Sequence, residues 1–171
     1  MSDYPKFVPP ENLATKTPRE WSKTEADEYA SWLGSEAGAR TANLLRFFGV
    51  APELAPTVLL EVLGKRVAEA LRTEAFSQGE QLTIAGYALA ADMGLLVAEL
   101  LLRECGDRIH WQVVRRPKSD LDYNQPVLAG FGPMTLNPVR GSIAESVGVL
   151  RDWRGWDAWL KIFGFWRSRA Q

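Results

Sequence analysis

The chain has 171 residues, 46% of them hydrophobic, enough for one substantial core and short for two domains. Its 20 basic and 21 acidic residues leave a formal charge of −1, so no overall field draws it to nucleic acid or to an anionic membrane. A lone cysteine, Cys105, excludes an intrachain disulfide and fits a reducing cytoplasm, and with one histidine it supplies no ligand set for zinc. No apolar stretch follows a basic one in Met1–Pro10, so secretion is not indicated and a cytoplasmic protein without cofactor or metal is expected.

Residues 1–16, with Pro5, Pro9 and Pro10, read as an extended N-terminal arm, and 17–171 as a single domain. Thr17-Pro18-Arg19-Glu20 and Ser22-Lys23-Thr24-Glu25 are two successive helix starts, each with a hydroxyl cap and a glutamate three residues on. They predict a helix to Leu33 with Trp21, Ala26, Tyr29, Ala30 and Leu33 inward, loosened at Gly34 and followed by a second helix over Glu36–Phe48. Thr57–Phe76 shows helical spacing of Leu59, Val62, Leu63, Val67 and Leu71, with charges opposite, and Ser77-Gln78-Gly79-Glu80 reads as a break.

Leu82–Leu102 is apolar or small except at Thr83, Asp92 and Glu99. A helix without a polar face is buried on all sides, which makes this the central helix, begun at Thr83 and stopped at Gly106. Its length suffices to span a bilayer, but each carboxylate near the middle would cost about 2.5–3.5 kcal/mol there. Glu99 stands four before Arg103, the spacing of a helical ion pair. Asp92 has only Ala88, Leu89, Leu95 and Leu96 at that spacing, so a partner must come from another element.

After Gly106 the pattern alternates, with Ile109, Trp111 and Val113 on one side of a strand and His110, Gln112 and Val114 on the other. Val127–Phe131 and Met134–Leu136 form a hairpin through Gly132-Pro133, giving a three-stranded antiparallel sheet. Ser142-Ile143-Ala144-Glu145 reads as the cap of a helix to Leu150. The fold class is therefore α+β: a helical N-terminal half, a central apolar helix packed on a small antiparallel sheet, and C-terminal helices.

The segments Trp21…Glu25-Ala26…Tyr29…Trp32-Leu33, Arg40…Leu44-Leu45, Asp92-Met93-Gly94…Glu99, Trp111 and Asp122–Phe131…Leu136-Asn137-Pro138 form a set. Over Trp21–Pro138 the chain resembles a widespread bacterial family of small, uncharacterised cytoplasmic proteins that is loosely immunity-like. The resemblance implies a single α+β domain and transfers no catalytic residue.

Two stretches suggest contact with another protein. Arg115, Arg116, Lys118, Asp120 and Asp122 lie in a stiff polar loop between Pro117 and Pro126, suited to electrostatic recognition. The aromatic-rich segment 151–171 holds Trp153, Trp156, Trp159 and Trp166 with five basic residues and two acids. It either folds back into the core, presents Trp156, Trp159 and Trp166 as anchors for a partner, or lies on a membrane surface without any lipidation signal.

No phosphate cradle, HExxH or GxSxG motif occurs, and Cys105 at a helix C-terminus is poorly placed as a nucleophile for His110. The expected function is thus a non-enzymatic protein-binding protein of the immunity or antitoxin sort. Its alternatives are a small-ligand binder or enzyme with a polar pocket of Asp92, Glu99, His110 and Arg140, or a subunit docked by its tail.

Overall fold

The computed structural model describes residues 4–170. The segment read as an arm is extended over 5–10 and then forms one helical turn, α1 (Glu11–Ala14). It is bound to the body, with Tyr4 and Leu13 both buried. A 3₁₀ turn at Pro18–Glu20 leads to α2 (Lys23–Phe47), and both expected capping boxes are present, at Thr17/Glu20 and Ser22/Glu25.

α2 is one helix of 25 residues, where the sequence suggested two. Gly34 does not break it, because a helical glycine costs only about 1 kcal/mol and packing of α2 on α4 offsets that. α3 (Pro56–Leu71) buries Leu59, Leu60, Leu63, Val67 and Leu71. The expected break after it is instead a small hairpin, β1 (Ser77–Gln78) with β2 (Gln81–Leu82), turning at Gly79-Glu80.

α4 (Ile84–Cys105) is the central helix, capped by the Thr83 hydroxyl and ended at Gly106, whose φ is +57°. It is long and apolar enough to cross a membrane, yet 78% of that apolar window is buried inside the protein. Such burial fits the core helix of a soluble fold. α5 (Pro138–Leu150) packs closely on it at Gly94, where an added Cβ would stand 2.2 Å from the Pro138 carbonyl oxygen. α5 starts five residues earlier than the Ser142 cap suggested, because Asn137 accepts a hydrogen bond from the Arg140 amide and Pro138 suits the first helical position.

β3 (His110–Val113), β4 (Pro126–Phe131) and β5 (Met134–Leu136) form the expected antiparallel sheet in the order β3-β4-β5. Leu128, Phe131 and Leu136 join the same core as α4. α6 (Ala158–Arg167) begins later than a helix from Arg151 would, and its Ala158, Trp159 and Phe163 are fully buried. Through these residues α6 completes the core, as in the first of the three readings, while Trp153 and Trp156 before it stay exposed.

Gly34 is exposed and helical, and nothing lies within 4 Å of where its Cβ would be. Gly34→Ala is expected to raise stability by up to about 1 kcal/mol, while Gly94→Ala lowers it by about 1–3 kcal/mol through overpacking. Urea unfolding of the two variants checks both signs.

Candidate functional site

Asp92 sits 1% exposed in the middle of α4, and the missing partner comes from α2 and the N-terminal segment. Arg40 donates to both carboxylate oxygens, from Nε at 2.5 Å and Nη2 at 3.1 Å, and the Tyr4 hydroxyl donates to Oδ2 at 2.7 Å. Arg40 also donates to the Lys6 and Pro5 carbonyls and lies over the Phe7 ring, 4.8 Å from its centroid. Burial pushes the Asp92 carboxyl above its ordinary value, with the Arg40 and Tyr4 hydrogen bonds pulling against it. Burial likewise raises the Tyr4 phenol, which stays a donor.

The four residues expected to share a polar pocket are not brought together. Glu99 accepts from the Thr41 hydroxyl at 2.7 Å rather than pairing with Arg103, because α2 crosses α4 on that side. Arg140 makes a two-pronged contact with Asp122, both distances 2.7 Å. His110 is exposed on β3, and no hydrogen bond or ion pair joins it to the other three among the described residues. An open cleft of about 1350 Å³ lies between the N-terminal segment, the β1–β2 hairpin and the start of α4. Tyr4 lines it and stands between it and Asp92.

Of the five charges expected to carry recognition in the 115–125 loop, Arg115, Asp120 and Asp122 are engaged within the protein. Asp122 is buried, taking Arg140 and the Asn137 amide at 2.8 Å, and its own amide donates to Asp120. The hydrogen bonds that Arg140 donates to Asp122 hold its guanidinium more firmly protonated. Arg115 is tied to Asp27 of α2 and to Asn124, which is buried and donates to the Pro18 and Trp21 carbonyls. Arg116 and Lys118 remain exposed, with no ion pair or hydrogen bond among the described residues.

The expected tryptophan anchors divide as well. Trp159 is 0% exposed and donates to the Ser142 hydroxyl at 2.9 Å, so it is a core residue and not an anchor. Trp166 is half-buried against Phe131, 4.8 Å between ring centres. Trp156 is 37% exposed and Trp153, not among the expected anchors, is 67% exposed. Both stand on the 151–157 turn, with Arg151 against the Trp153 ring at 5.1 Å and Lys65 against Trp156 at 4.6 Å. The turn seats its Trp156 carbonyl where a Cβ on Gly64 of α3 would be, 2.4 Å away. Loop and turn flank opposite ends of α5, with Arg140 and Arg151 about 16 Å apart along the helix rise.

Cys105 is buried at the C-terminal end of α4, and burial raises its thiol, as suits a small hydrophobe. Compared with known proteins, the chain matches no family model, no curated protein and no solved structure.

Tyr4 and Arg40 were absent from the expected site. Arg40 carried a signal in the sequence, since it falls on the inward stripe of α2 seven after Leu33 and four before Leu44. Tyr4, 88 residues from Asp92, carried none.

Asp92→Asn strands the buried Arg40 charge and is expected to cost about 3–5 kcal/mol, against about 0.5 kcal/mol or less for Arg116→Ala. Because the folded pKa of Asp92 is raised, its contribution is full below the ordinary value of 3.8 and is lost as pH rises through the raised value. The difference in unfolding free energy between the wild type and Asp92→Asn, measured from pH 3 to 7 (about that range), is expected to shrink as pH rises, since carboxylates held low, such as Glu20 and Glu25, titrate alike in both.

Proposed function

We propose that this is a non-enzymatic, cytoplasmic protein-binding protein of the immunity or antitoxin sort, which contacts its partner through the 151–157 turn. The observation that carries the reading is the pair of solvent-facing tryptophans, Trp153 and Trp156, each with a cation against its ring. Tryptophan and arginine supply most of the binding energy at protein interfaces, and exposed aromatic surface on a folded protein marks such contacts. The fold supports the turn rigidly, since Ala158 and Trp159 directly after it are locked in the core.

The non-enzymatic part of the reading draws on the buried charges. Arg40, Asp92 and Asp122, the buried charged side chains among the described residues, are all bonded to structural partners. None is positioned to move a proton to or from a ligand in the open cleft. The lone cysteine buried at Cys105 suits a reducing compartment.

Affinity purification from the native cells, followed by mass spectrometry, tests the proposal. A near-stoichiometric protein is expected with the wild type and with Arg116→Ala/Lys118→Ala. It is lost from Trp153→Ala/Trp156→Ala, since truncating two anchors at about 2 kcal/mol each weakens binding several hundredfold. Trp159 is left intact because its removal would empty the core. Retention of the partner by the tryptophan variant overturns the assignment of the surface, and absence of any partner overturns the function.

A further inference from the structure

We propose that β3 is a docking strand for an extended, acidic segment of another protein, a surface separate from the 151–157 turn. The register identifies β3 as an edge with its outer backbone groups unspent. Val114 donates to the Gln125 carbonyl, which makes that opposed pair a hydrogen-bonded one. By alternation, Val113 faces Pro126, which has no N–H to give, and Trp111 faces Leu128 in the next pair of the same kind. The N–H and C=O groups of Trp111 and Val113 therefore point away from β4, and no hydrogen bond from another element reaches them among the described residues. Such an edge is a template for one more strand.

The space beside this edge has the shape for side chains of that strand. A groove of about 160 Å³ runs between β3 and α2, lined by Ala30, Leu33, Gly34, Trp111, Val113 and Pro126. Its volume is about the share of five waters, which suits one aliphatic side chain. Gly34 forms part of the wall, and neither a positive φ nor internal packing requires a glycine there. A glycine in an exposed helix interior that the fold does not need leaves clearance for something passing over it.

Charge selects the occupant. Arg116 and Lys118, the exposed cations without ionic partners just past the end of β3, would meet the segment where it leaves the groove, so an acidic end is complementary. A second copy of this chain, paired antiparallel at β3, would bring Asp107, Arg108 and His110 to that place, which together carry no net negative charge. The edge fixes an extended backbone, the groove an aliphatic side chain and the cations an acid, so the ligand class is an acidic β-strand peptide.

The test uses the full chain and a fluorescein-labelled hexapeptide in which threonine alternates with valine or leucine before two terminal glutamates. Saturable binding below about 1 mM is expected, weakening with added salt, with the Trp111 and Val113 amides protected from hydrogen exchange. Val113→Pro removes one outward donor at an edge position where proline is tolerated, and Gly34→Leu fills the groove on an exposed helix face. Each is expected to weaken binding at least about tenfold with the circular dichroism spectrum unchanged, and Trp153→Ala/Trp156→Ala to leave it unaltered. Binding indifferent to both groove variants, or no saturable binding, overturns the proposal. So does a concentration-dependent dimer abolished by Val113→Pro, which would make the occupant a second copy.

Discussion

A carboxylate in the middle of a helix with no polar face has to be compensated from outside that helix, and Arg40 and Tyr4 do this for Asp92. Taking a carboxylate and a guanidinium out of water costs several kcal/mol for each, so the geometry must return nearly all of it through close, directional hydrogen bonds. That requirement ties three remote parts of the chain together. α2 must cross α4 at Arg40, and the N-terminal segment must lie across both so that the Pro5 and Lys6 carbonyls take the remaining guanidinium donors. The aromatic rings of Tyr4 and Phe7 then close the gap between the polar cluster and the apolar core, with Phe47 and Phe76 packed edge-on to Tyr4.

A second buried carboxylate plays the same role at the sheet end. Asp122 gathers Arg140, Asn137 and the turn at Asp120, pinning the long loop to the start of α5. With the acids so committed, Arg116 and Lys118 are the charges of the loop left exposed without a partner among the described residues. At the other end of α5, the chain leaves the core at Leu150, exposes Trp153 and Trp156 on a turn, and re-enters with Trp159. The 115–125 loop and the 151–157 turn are therefore both held by rigid scaffolding, one at each end of α5, an arrangement that keeps the ordering cost of exposed residues low.

The helical segments and the sheet were legible because each rests on local signals. Thr83 and Gly106 bracket α4, the Ser22/Glu25 box starts α2, and the alternation of 109–114 with Gly132-Pro133 yields the three strands. Local signals misled where tertiary packing or a better cap prevailed, as at Gly34 and at the expected Ser142 cap, both carried inside continuous helices. The hairpin at Ser77–Leu82 went unread because two-residue strands leave no alternation to count.

The sequence by itself determined that α4 is buried, that Asp92 needs an outside partner, and that charges and tryptophans concentrate near 115–122 and 151–166. Those conclusions follow from composition and period, which are properties of neighbouring residues. Only the tertiary structure decided that the partners are Arg40 and Tyr4, that Trp159 is core while Trp153 is surface, and that β3 is an open edge. Each of these depends on which elements lie side by side, and residues 52 or 88 positions apart meet through the packing of helices and not through any spacing along the chain.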